Sequence, residues 1–337
     1  MTGDTIINGT DIYATYGAFV HLDGYKGLVE WPASKSVEYN DWQEIDGIDV
    51  DLSSLHFESK TFPLTFGVKG NADAMRRFYA FLCTSPTMTC NFASIGLERT
   101  LRVVGMTDLD YAFAFSAVIV NFADDDSPLE GYTYVAPSAS HVRANSAYTL
   151  GGKALSDYGI TPLYGMLNKA LIRPGVKPLL IRSTRFSDGA TYDKNPKLWN
   201  GSAWVISPTV GEVTESAMEL ALTVGMTATS VASFWANYKA FLYDLTKQDE
   251  NASALEKCLR TLTIDGESDS IKGYYLSQTV DDFAVFGNGY VMCKFTLSFM
   301  CTKYEQREPY LEISPEVIWV NPWGTNDVFS NTSWNIG

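Results

Sequence analysis

The feature that most constrains this chain is that it repeats itself. An alternating apolar segment, Phe62-Pro-Leu-Thr-Phe-Gly-Val68, runs into a helical pattern that contains Phe78-Tyr-Ala-Phe-Leu82. Further on, Met218-Glu-Leu-Ala-Leu-Thr-Val224 runs into a helical pattern that contains Tyr238-Lys-Ala-Phe-Leu242. Downstream, Arg99-Thr-Leu-Arg-Val-Val-Gly105 matches Arg260-Thr-Leu-Thr-Ile-Asp-Gly266, and the copies close on strand-like runs at residues 116–122 and 293–299. The separations are 156 for Phe62 and Met218, 160 for Leu82 and Leu242, and 161 for Arg99 and Arg260. Drift of this size is what loop insertions between duplicated elements produce. Upstream, Lys26-Gly-Leu-Val29 is a weaker match to Lys177-Pro-Leu-Leu180. Two alternating strands resemble each other by chance, but several matching segments in one order do not, so a tandem duplication is expected.

The periodicities say what each copy folds into. Phe62, Leu64, Phe66 and Val68 fall at period two, as do Leu220, Leu222 and Val224, which places each set on one face of a strand. Ala72, Met75, Phe78, Tyr79 and Leu82 fall at steps of three and four behind Asn71, a good N-cap. Val231, Phe234, Trp235, Tyr238, Phe241, Leu242 and Leu245 do the same behind Ser230. The expected fold is mainly β with minor α: two tandem units, each a small β-sandwich or partly open barrel with one flanking helix. The first unit is expected at residues 1–126 and the second at 157–304. Between them, residues 127–156 are rich in Ser, Ala and Gly and read as a linker or extended arm. A hairpin insertion is expected at residues 193–211, where Leu198-Trp-Asn-Gly-Ser-Ala-Trp-Val205 sets an Asn-Gly turn between Trp199 and Trp204. Residues 305–337 read as a C-terminal β extension.

Charge and composition exclude several functions. With 39 acidic against 25 basic residues, the net charge is −14. That is the wrong sign for gripping phosphates or an anionic membrane surface. The start, Met1-Thr-Gly-Asp-Thr5, lacks the basic and apolar regions of a signal peptide. The longest apolar run, residues 111–120, is strand-sized and far short of the ~20 residues of a membrane helix. The five cysteines, Cys83, Cys90, Cys258, Cys293 and Cys301, form no CxxC pair and suit reduced thiols.

No residue is singled out for catalysis, cofactor binding or metal binding. His21, His56 and His141 stand apart from one another and from the cysteines. No P-loop, GxGxxG or GxSxG occurs. Asp46, Asp49 and Asp51 alternate with apolar residues, which reads as the solvated face of a strand rather than a calcium loop. Asp124, Asp125 and Asp126 read as a solvated turn. Ser187-Asp-Gly189 lacks the spacing of a sialidase Asp-box.

The order of elements resembles that of bacteriophage tail-tube-like proteins: distal tail proteins, tube proteins and baseplate hubs. The likeness lies in the Tyr16-Gly17 and Lys26-Gly-Leu-Val29 segments, a polar stretch with Asp41-Trp42, the alternating strand, the short helix with Phe-Leu, and two closing strands. The resemblance implies a curled sheet and helix that assemble into a ring around the tail channel. It also implies a virion-tail location, with copies of the chain itself and other tail proteins as partners. Two units per chain would build a six-unit ring as a pseudo-sixfold trimer, or two stacked layers as a hexamer. The segments Leu311-Glu-Ile-Ser-Pro-Glu-Val-Ile-Trp-Val320 and Val328-Phe-Ser-Asn-Thr-Ser-Trp-Asn-Ile336 resemble the opening of a BACON-type Ig-like domain. With the Trp-bearing hairpin, they support an alternative, a cell-surface or glycan-binding β module.

Overall fold

The computed structural model describes residues 2–41, 47–112, 115–139, 148–167, 170–172, 184–186, 197–199, 204–206, 213–215, 217–264 and 270–305. The first half contributes β1 (Thr5–Ile7), β2 (Thr10–Asp11), α1 (Ile12–Tyr16), β3 (Ala18–Val20), α2 (Lys26–Val29), β4 (Tyr39–Asn40), β5 (Asp49–Val50), β6 (Lys60–Lys69), α3 (Ala72–Leu82), β7 (Thr87–Phe92), β8 (Leu97–Ala112) and β9 (Phe115–Asp124). The second contributes β10 (Tyr148–Leu150), β11 (Lys153–Ala154), β12 (Ile160–Leu167), β13 (Ala170–Ile172), β14 (Thr184–Phe186), β15 (Lys197–Trp199), β16 (Trp204–Ile206), β17 (Val213–Glu215), β18 (Met218–Ala228), α4 (Val231–Thr246), β19 (Arg260–Ile264), β20 (Ser270–Val285) and β21 (Val291–Glu305).

The two halves build the same sheet. The first is ordered β2-β1-β7-β8-β9-β6-β3 and the second β11-β10-β19-β20-β21-β18-β12-β13, antiparallel throughout. Each strand of the first has a counterpart at the same place in the second, and β13 is added at the edge. The helices also correspond, α3 between β6 and β7, α4 between β18 and β19. Asn71 caps α3 by accepting the Ala74 N–H at 3.2 Å. Ser230 caps α4 by accepting the Ser233 N–H, and Ser233 returns a bond to the Ser230 N–H.

The duplication extends further upstream than the sequence match. In both halves a tight hairpin is followed by a helical turn that ends on Tyr-Gly: Tyr16-Gly17 in one, Tyr158-Gly159 in the other. The hairpins turn through Asn8-Gly9 and Gly151-Gly152, all four at positive φ, which suits glycine and asparagine. Gly17 and Gly159 end their turns at φ 70 and 79. Elements that pair into the second sheet therefore begin at Tyr148, inside the stretch expected to be a linker.

Strand register corrects part of the sequence alignment. Cys90 faces Ile7 across β1 and β7, and Leu262 faces Leu150 across β10 and β19. Hence Arg260 on β19 occupies the place of Met88, whereas Arg99 lies on β8; their Arg-Thr-Leu match joins strands that do not correspond. Val68 faces Ala18 and Met226 faces Ile160, so Phe62 corresponds to Leu220, two residues beyond Met218. A two-residue slip keeps every side chain on its face, so alternation cannot reveal it. Lys26–Val29 forms a helical turn.

The remaining expectations divide. Trp199 faces Trp204 in the register of β15 and β16, the expected hairpin. Asp49 and Asp51 are exposed while Val50 and Leu52 are buried, the expected solvated face. The run Asp124 to Asp126 is more than a solvated turn: Asp124 pairs with Arg99 at 3.6 Å, and Asp125 accepts Arg102 Nε at 2.7 Å and the Ser59 hydroxyl at 2.5 Å. The five cysteines are free thiols, four of them buried. Asp46, His141, Lys177, Ser187 to Gly189 and residues 306–337 lie outside the described residues.

Candidate assembly interface

The alternating residues of both sheets and the stripes of both helices meet in one continuous apolar core. The joint between the halves is the most elaborated site among the described residues. It is built where β20 outruns β19. The pairing of these strands stops at Gly273, leaving one edge of β20 open from Tyr274 onward. An open edge must be covered or paired. Residues 30–34 of the first unit cover it. The Ser34 N–H and hydroxyl both donate to the Leu276 carbonyl, at 2.7 and 3.2 Å. The Trp31 N–H donates to Gln278 Oε1 at 2.9 Å, and Glu30 Oε2 accepts the Val280 N–H at 3.1 Å.

Trp31, 4% exposed, anchors this arm. Its ring lies 4.4 Å from Tyr238, 5.6 Å from Phe241, 6.2 Å from Tyr275 and 6.1 Å from Phe295, centroid to centroid. Pro32 follows it and offers its carbonyl to the Tyr275 hydroxyl at 2.8 Å. The Tyr238 hydroxyl sits 3.0 Å from the Val29 carbonyl and 2.9 Å from Gln278 Oε1. Burial pushes both phenols well above their ordinary pKa, so they stay neutral donors. Gln278 Nε2 is buried without a hydrogen-bond partner among the described residues. A second seam runs beside the first: Ile48 N–H to Thr302 O at 3.1 Å, Leu52 N–H to Leu255 O at 2.9 Å and Cys258 N–H to Leu52 O at 3.0 Å.

A polar cleft borders the arm, lined by Glu30, Lys60, Arg99, Asp124, Trp235 and Lys239 among others. Lys60 is half-buried, and its ammonium donates to the Gly27 and Glu30 carbonyls. Burial depresses its pKa to about 8, with Glu30 and Asp124 partly opposing. Burial raises the Asp124 carboxyl and Arg99 opposes the rise. Burial, with Arg99, lowers Lys239. Lys60 and Asp124 are held by their neighbours in the joint, whereas Arg99 Nε is buried without a hydrogen-bond partner among the described residues; the group reads as a structural seam.

The segment after β9 straps the far side of α4. The Ser138 N–H donates to Asn237 Oδ1 at 3.0 Å, and the Tyr134 hydroxyl donates to Asp244 Oδ2 at 2.9 Å. Asp244 also accepts Lys153 and Tyr158 at 2.7 Å each and Lys247 at 2.8 Å. Burial alone would raise the Asp244 carboxyl; these hydrogen bonds outweigh it and hold the pKa below its ordinary value. Arg260 closes the helix C-terminus by donating to the Asp244 carbonyl at 2.7 Å and to the Lys247 carbonyl. Apart from the Asp244 and Lys247 pair, three residues apart on α4, none of these partnerships was signalled by spacing, because each joins residues far apart in the chain.

Among the described residues no group of three or more His, Cys, Asp or Glu is placed to hold a metal, and no helix is long and apolar enough to cross a membrane. The fold is a mainly antiparallel β protein with two sheets of one topology, joined by edge covering. No known family profile and no curated protein matches the sequence. Among solved structures, the crystal structure of the SPP1 Dit protein matches over 90% of this chain and 98% of its own, at 12% identity and a TM-score of 0.28. That protein is described as a paradigm of hub adsorption apparatus in Gram-positive infecting phages. At that score the likeness carries no weight for function.

Proposed function

We propose that the chain is a structural component of a phage or prophage tail, a distal tail or baseplate ring protein that assembles with copies of itself around the tail channel. One observation supports this above the others: two units of one topology pack head to tail within the chain, the first covering the open edge of the second. A unit that covers an edge of its twin is a unit that can be added again, and heterologous contacts of this kind close into rings when the rotation permits. The order of elements, which resembles tail-tube-like proteins, is consistent with the reading. So is the net charge of −14, since a channel wall of like charge keeps passing DNA from adhering. On this reading the chain acts by assembly and not by catalysis, and its partners are its own copies and neighbouring tail proteins. Negative-stain imaging of the concentrated protein tests it. Rings with a central hole are expected; a field of single particles of one-chain size would count against the proposal.

A further inference from the structure

The two halves correspond residue by residue, yet their surroundings differ, and the difference locates a docking surface. Phe122 on β9 corresponds to Phe299 on β21, because each faces the equivalent residue of the neighbouring strand, Phe62 and Leu220. Val103 faces Phe122 and Tyr275 faces Phe299, so Val103 corresponds to Tyr275. Both hairpins then carry a bulge at the next residue: Val104 in β8, Leu276 in β20. Register resumes with Gly105 facing Asn121 and Ser277 facing Ser298. Val104 is thus the counterpart of Leu276, whose carbonyl receives the first unit's arm through Ser34.

Around Val104 no described strand plays that part. The last backbone bond on that edge of β8 is from the Val103 N–H to the Pro86 carbonyl, at 3.0 Å. Val104 is 53% exposed, a large apolar side chain at an uncovered edge. The helix above tells the same story. On the Ala-Phe-Leu match, Ala80 and Phe81 of α3 correspond to Ala240 and Phe241 of α4. Ala240 and Phe241 are 0% and 2% exposed, the former under no solvent and the latter against Trp31. Ala80 is exposed and Phe81 only half-buried. Phe81 stacks on Tyr16 of its own unit at 5.1 Å, but among the described residues the edge at Val104 and the α3 face at Ala80 are both open in the first unit, while their counterparts are covered in the second.

We infer that the β8 edge at residues 104–107, with the outer face of α3, is the docking surface for the second unit of another copy of this chain. The internal joint is the template: at Leu276 and Phe241 it receives a neighbouring unit, and among the described residues the corresponding positions of the first unit are left without one. The resulting contact is heterologous, so first and second units alternate around one layer. This rests on the assembly reading above and specifies its interface.

The test is sedimentation of the full chain over a wide concentration range, for wild type, Val104→Glu, Ala80→Glu and the double variant. Phe286→Glu, at an exposed site in the turn between β20 and β21 and away from the joint, is the control. Val104 and Ala80 are exposed, so thermal melts at low concentration should match wild type. We expect each single variant to raise the concentration needed for assembly about tenfold, the double variant more, and the control not at all. Hydrogen exchange on wild type gives a readout that needs no variant: amides 104–107 should slow on assembly. If wild type assembles but the variants assemble equally well and those amides remain fast, the docking surface is wrong while the assembly reading stands. If wild type stays a single chain throughout, both fall.

Discussion

Replacing Trp31 by Ala tests whether the two units are joined as described. The ring is 4% exposed and contacts four aromatic residues, all of the second unit, while its own chain segment belongs to the first. A buried aromatic side chain removes roughly 150–250 Å² from water, which at about 25 cal/mol per Å² is roughly 4–6 kcal/mol. Alanine retains part of this, and measured Trp or Phe to Ala losses in cores are about 3–5 kcal/mol. The loss falls on the coupling between units rather than on either sheet. Wild type should therefore unfold in one transition by calorimetry and urea titration. Trp31→Ala should lose about 3–5 kcal/mol and split into two transitions as the halves part company. A loss below about 1 kcal/mol, with a single transition retained, would refute the reasoning, because it would mean that Trp31 is not held between the units.

Three further outcomes are expected. Lys60 has a folded pKa of about 8 against an ordinary 10.5, so between those values the unfolded chain holds a proton that the folded one lacks. Stability should therefore rise with pH across that window, by at most about 3 kcal/mol, and Lys60→Met should flatten the rise in urea titrations run from pH 7.5 to 10.5. Gly273→Ala should cost several kcal/mol or abolish folding, read by circular dichroism, because its Cβ would collide with the Met300 carbonyl and the Phe299 ring. Ser230→Ala should cost about 1 kcal/mol by removing the α4 cap, and Ser230→Asp should restore most of it.

Much of the fold was legible in the sequence because its signals are local. The stripes of α3 and α4, their caps Asn71 and Ser230, the alternation of β6 and β18 and the Asn-Gly hairpin all act within a few residues. The opening hairpins at Thr5 and Tyr148 were missed because their strands have two or three residues, too few to show a period. Their readable signal was the pair of Tyr-Gly endings, Tyr16-Gly17 and Tyr158-Gly159. Arg99 and Arg260 were matched wrongly because Thr-Leu alternation is common to any half-buried strand. The joint was invisible for a different reason. Residues 30–34 have no periodicity of their own, and Leu276, Gln278 and Val280 lie more than two hundred positions away. Their partnership is fixed by the unequal lengths of β19 and β20, which only a sheet reveals.

The most direct measurement of the central claim is the mass of the assembled full chain by native mass spectrometry. With the six-unit ring that the tail-tube-like resemblance implies, units alternating in one layer predict closed oligomers of three chains of 37.3 kDa each, with no open-ended series. A population that stops at one chain, or at a twofold dimer, would contradict it.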